Sequence, residues 1–175
     1  MPHKTTHPHS VPAHLQGKTQ KGFQGGKNKV IELFENKNLK AVLRQLVQKV
    51  LPSEVAQWFA LDCAKFVLPV FQEQCPNDKR VINCIQELEN FLKGKSTLNR
   101  VYETAAAAYD AAGDTCTFAA YSAAHAAYTL VDANTNSNYS SYFVNVVDAC
   151  YYDPNDEMQG FIKNWIDQYF SNLPN

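Results

Sequence analysis

The residues best placed for chemistry sit in an alanine-rich stretch. Ser122 precedes His125 by one helical turn, with Tyr121 and Tyr128 close by, which is how a hydroxyl nucleophile and a base would share a helix face. A straight helix rarely points two such groups at each other, and no third group that would orient the imidazole is identifiable. A hydrogen-bonded structural histidine is the simpler expectation. Glu103, Asp110 and Asp114 flank the same stretch, and Asp132 and Asp148 follow it. With His125, Glu103 and Asp110 form the candidate cluster for a helical acid-base or metal-dependent enzyme, although carboxylates on helix faces are usually solvated.

No other motif supplies a reaction. Phosphate-cradling glycine loops, a G-x-S-x-G elbow and an H-E-x-x-H pair are all missing from the sequence. Asp153, Asn155 and Glu157 imitate the start of a calcium loop, but Met158 stands where the sharp turn needs glycine and Asn164 where a bidentate glutamate belongs. They read instead as an acidic helix N-terminus. His3, His7, His9 and His14 lie in a segment too polar to hold fixed geometry, so no metal site is expected there. The five cysteines, Cys63, Cys75, Cys84, Cys116 and Cys150, contain no C-x-x-C pair and suggest free, mostly buried thiols. No cofactor is called for.

The formal charge of −1 conceals a strong polarity along the chain. Residues 1–53 carry nine Lys/Arg against two Asp/Glu, whereas residues 96–175 carry two against nine. An acidic C-terminal half repels nucleic acid and anionic membrane and attracts basic partners. No run of about 18 apolar residues is present to span a bilayer, and no apolar stretch follows the early basic residues as a signal peptide would require. A cytoplasmic protein is expected.

Helices must position these residues. Residues 1–27, with Pro2, Pro8, Pro12 and four of the five histidines, read as a disordered tail before an α-helical domain over 28–175. Val30, Ile31, Leu33 and Phe34 suggest a short helix, and Leu39, Val42, Leu43, Leu46, Val47, Val50 and Leu51 a longer one stopped by Pro52. Ser53 is placed to cap the next. The segment 55–74, apolar around most of its circumference through Trp58, Phe59, Leu61, Phe66, Val67, Leu68, Val70 and Phe71, predicts a central helix kinked by Pro69. Asp78 is expected to cap a helix with Ile82, Ile85, Leu88 and Leu92 inward, Val81 and Phe91 beside them, and Gly94 at its end. An alanine-rich hairpin follows, with helices over 98–112, closed by Gly113, and 115–131, capped by Asp114. Tyr139, Tyr142, Phe143, Val146, Val147, Cys150 and Tyr151 form another stripe, and Met158, Phe161, Ile162, Trp165, Ile166, Tyr169 and Phe170 a last one. The expected fold is all-α: one bundle-like domain of about seven to eight helices. Tyr152 and Tyr169 are the aromatics expected to be left at a surface.

Ala60-Leu61-Asp62-Cys63-Ala64, followed by Val67-Leu68-Pro69, Phe71, Pro76, Asp78, Arg80, Ile85 and Gly94, resembles the signature of the Imm-5-like immunity proteins of bacterial polymorphic toxin systems. The alanine-rich half with His125 is similar to that family's second block. The resemblance implies a non-enzymatic cytoplasmic antidote that binds and neutralises a toxin. Asp62, Cys63, Pro69, Asp78 and Arg80, the matched positions, read as kink and cap residues. Recognition is expected instead at the acidic half, through Asp110, Asp114, Asp148 and Tyr152, with Tyr109, Tyr121, Tyr128 and Tyr169 as further aromatic anchors.

Overall fold

The computed structural model describes Leu46, residues 50–115, 120–121, 123–126 and 157–171. Within them the regular structure is entirely helical: α1 (Ser53–Gln74), α2 (Arg80–Leu92), α3 (Leu98–Thr115) and α4 (Glu157–Phe170), with residues 120–121 and 123–126 adding a further helical stretch. The 1–27 tail, the short helix at 30–34, most of the second expected helix and the stripe over 139–151 lie outside the described residues. From the second helix, Leu46, Val50 and Leu51 are buried, and the Leu51 N–H donates to the Leu46 carbonyl, a turn one residue wider than α.

Helix α1 buries more residues than any other described helix. Trp58 through Ala64 are all buried, as its apolar circumference foretold, and the helix continues through Pro69 to Gln74. Val70 departs from that pattern at 53% exposed, because only one side of the last turns meets the core. Pro52, not Ser53, occupies the cap position, its carbonyl accepting the Ala56 N–H at 3.0 Å and its backbone extended at φ −56°. Ser53 falls inside the first turn.

Helix α2 packs along α3 and less extensively against α1. Lys79, not Asp78, occupies the cap position and no side chain caps it; Asp78, one residue earlier, accepts the Arg80 N–H at 2.9 Å through Oδ1. At the other end Gly94, at φ +70°, sits in the left-handed region, with Gly94 N–H bonded to the Phe91 carbonyl and Lys95 N–H to that of Asn90. This is a Schellman ending, in which glycine bears no Cβ penalty. The buried face is rotated from the expected one: Val81, Cys84, Ile85 and Leu88 are inside, while Ile82 and Leu92 are half-buried. Cys84 lies inside that face, its thiol donating to the Ala123 carbonyl at 3.7 Å.

Helix α3 overturns a boundary. It runs through Gly113 and Asp114 to Thr115, so Gly113 does not close it and Asp114 does not cap its successor. Glycine tolerates a right-handed helix as well as a left-handed turn, and Asp114 is instead engaged by Arg80 across the α2–α3 pair. Val101, Ala105, Ala108 and Ala112 form its buried stripe, small side chains that let helix axes approach closely. Helix α4 buries Met158, Phe161, Ile162, Trp165, Ile166, Tyr169 and Phe170, the stripe its spacing foretold, with Tyr169 inside although it was expected at a surface.

Candidate functional site

The side of α3 opposite its alanine stripe faces solvent. Tyr102 and Tyr109 are 54% and 47% exposed, and Glu103 and Asp110, each the next residue in sequence, are exposed beside them. Seven residues are close to two helical turns, so both pairs share one face about 10 Å apart along the axis. Behind Tyr109, the ring of Tyr121 meets it edge-on at 5.5 Å and that of His125 at 6.1 Å, while Tyr121 and His125 stack at 6.4 Å. A half-exposed tyrosine is thereby held from within by two half-buried rings. Burial pushes the His125 pKa below its ordinary value, which keeps the imidazole neutral at pH 7.

Other charged side chains on α2 and α3 already serve the fold. The Arg80 guanidinium bonds both Asp78 oxygens, Nη2 to Oδ2 at 2.7 Å and Nε to each at 3.1 Å, and reaches Asp114 Oδ2 through Nη1 at 2.8 Å. Those bonds hold the Asp78 carboxyl below its usual range and raise the guanidinium. Glu87 accepts from Ser96 and from Arg100 Nε, and Glu89 pairs with Lys65 at 2.7 Å and with Lys93. Among the described residues Glu103 and Asp110 take no such cation.

Asp62 occupies the opposite environment. It is 5% exposed on α1, and Trp165 Nε1 of α4 donates to its Oδ2 at 2.9 Å. Burial raises its pKa to about 6, against the pull of the Trp165 bond and of Lys65, with Glu89 adding to the rise. Cys63 is buried beside it. Burial likewise pushes the Cys84 thiol up to about 12, too high for a nucleophile at neutral pH.

The residues singled out in the sequence therefore divide. Asp110 lies on the exposed face of α3, whereas Asp114, though exposed, is bound to Arg80. Asp148, Tyr152, Asp132, Tyr128 and Ser122 lie outside the described residues. Tyr169 is 1% exposed, stacked on Trp165 at 5.2 Å, and is not the surface anchor its sequence position suggested. Glu103 and Asp110 face solvent while His125 is half-buried behind Tyr109, and among the described residues no three His, Cys, Asp or Glu side chains gather as metal ligands. Sequence reasoning passed over Tyr102, although its spacing to Tyr109 was the available signal.

A family model described as Imm-5 like putative immunity protein matches residues 45–170. No curated protein and no solved structure matches the chain.

Proposed function

The chain belongs to the Imm-5-like immunity-protein family, and from that premise we propose that it is a non-enzymatic antidote that binds a cognate bacterial toxin and blocks it. The family match over 45–170 is the observation that carries this reading. Acidity supports it: residues 96–175 hold nine Asp/Glu against two Lys/Arg, which favours a basic partner and disfavours nucleic acid. The antidote acts in the cytoplasm and its recognition surface lies in that acidic half, with Asp110, Asp114, Asp148 and Tyr152 as first candidates. Among the described residues no helix is long and apolar enough to cross a membrane. Nothing in the positions of Glu103, Asp110 and His125 favours the enzyme reading over binding.

Co-expression tests the proposal. Cells carrying the toxin encoded beside this gene in its native genome should die, and cells that also express this protein should survive. Equal killing with and without the protein contradicts it.

A further inference from the structure

We propose that the solvent face of α3, built on Tyr102, Glu103, Tyr109 and Asp110, is the docking surface for a basic segment of the partner that presents two arginines about 10 Å apart. The proposal rests on the antidote reading above and names the chemistry of its recognition. Tyr102 and Tyr109 are, with Val70, the exposed large apolar side chains among the described residues, and two of those three share this face. Each is followed in sequence by a carboxylate, so the face repeats one unit, an aromatic ring beside an acid, after two helical turns.

Charge complementarity selects the occupant. On α2 and α3 and in the turn before α2, Asp78, Glu87, Glu89 and Asp114 have their cations inside the fold, supplied by Arg80, Arg100, Lys65 and Lys93. Glu103 and Asp110 have none among the described residues, and the arginines nearest in sequence, Arg80 and Arg100, are bound to other acids. A basic partner would supply a positive charge to this pair on binding. Arginine fits the repeated unit better than lysine, because a planar guanidinium can lie on a tyrosine face while its edge pairs with the neighbouring carboxylate. Tyr109 is the stronger of the two platforms. Its ring is braced by Tyr121 and His125, so it loses less freedom on binding than an unsupported surface side chain would. This assignment moves the centre of recognition one turn back from Asp114.

The test measures association and dissociation of the full-length protein with the toxin that it neutralises. Glu103→Lys with Asp110→Lys should slow association at least tenfold at low salt and flatten its salt dependence. An equal charge change on α1, Glu54→Lys with Glu73→Lys, should leave the rate within about twofold. Tyr109→Ala should speed dissociation at least tenfold, and Tyr109→Phe, which keeps the ring, should restore it. Arginine-to-glutamate changes in the toxin that recover binding to the Glu103→Lys, Asp110→Lys variant would identify the partner side. If the wild-type protein binds and all α3 variants bind unchanged, or if the α1 control weakens binding as much, the docking surface is elsewhere although the antidote reading stands. If the wild-type protein binds no toxin, the antidote reading falls and this inference with it.

Discussion

Two aromatic clusters, each accompanied by a carboxylate, stand in opposite surroundings. Where α1 meets α4, Phe59, Trp165, Tyr169 and Phe170 pack with centroid separations of 4.6 to 5.2 Å, all buried, and enclose Asp62. Around α3, Tyr109, Tyr121 and His125 pack more loosely, at 5.5 to 6.4 Å, half in solvent with Asp110 at the edge. The same residue types therefore serve different ends. In the first cluster ring area is taken from water within the chain and its contribution to stability is complete. In the second much of that area is still exposed.

This contrast breaks most visibly at Trp165. Trp165→Ala empties the centre of the first cluster and removes the donor to Asp62, and should destabilise the protein by about 3–5 kcal/mol in urea unfolding. Tyr109→Ala, which deletes a ring of similar kind, should cost no more than about 1 kcal/mol. Comparable losses would mean that the α3 cluster is also a structural core.

Asp62 sharpens the comparison through pH. Burial pushes its pKa up to about 6 in the fold from 3.8 for an unburied aspartate, so the folded state binds the proton more tightly. The stability it provides is fully present below the unfolded value and is lost as pH rises through about 6, by up to roughly 3 kcal/mol. Asp62→Asn keeps an acceptor for Trp165 and carries no charge. It should match the wild type near pH 3.5 and exceed it in stability at pH 7. A wild type that gains on the variant between pH 4 and 7 would show that the carboxylate is stabilised, not strained.

Gly94 gives a smaller effect. Its φ of +70° disfavours any side chain, although a Cβ there would meet no atom within 4 Å. Gly94→Ala should cost about 1 kcal/mol through the backbone alone. Smallest of all, Glu103→Lys and Asp110→Lys should each change stability by less than about 0.5 kcal/mol, since both side chains are solvated. A larger loss would mark these acids as parts of the fold and remove them from recognition.

The sequence disclosed what depends on period and hid what depends on distant contacts. The stripe of α4 was readable from its period, because seven large side chains recur at helical spacing with polar residues between them, although Tyr169 among them was expected at a surface. The ending at Gly94 was readable too, since it is local chemistry, whereas the cap fell at Lys79, one residue after Asp78. Gly113 and Asp114 misled for the same local reason: they look like a stop and a cap, but α3 runs through both to Thr115, and Asp114 pairs with Arg80, 34 residues earlier. Trp165 as the partner of Asp62 is a contact across 103 residues that no spacing rule reveals. Tyr169 was misplaced because an aromatic near a helix end looks amphipathic until Trp165 and Phe170 are seen to cover it. On the candidate surface Asp110 was found, Tyr102 was passed over, and the weight given to Asp114 ignored its internal partner.

Titrating a fixed amount of active cognate toxin with this protein tests the central claim, neutralisation by binding, most directly. The account predicts that toxin activity falls in proportion to added protein, reaches zero at a fixed whole-number ratio, and returns when the complex is dissociated and the toxin recovered intact. Complete loss of activity at far below stoichiometric amounts, with the toxin or its product chemically altered, would contradict the account and make the protein an enzyme.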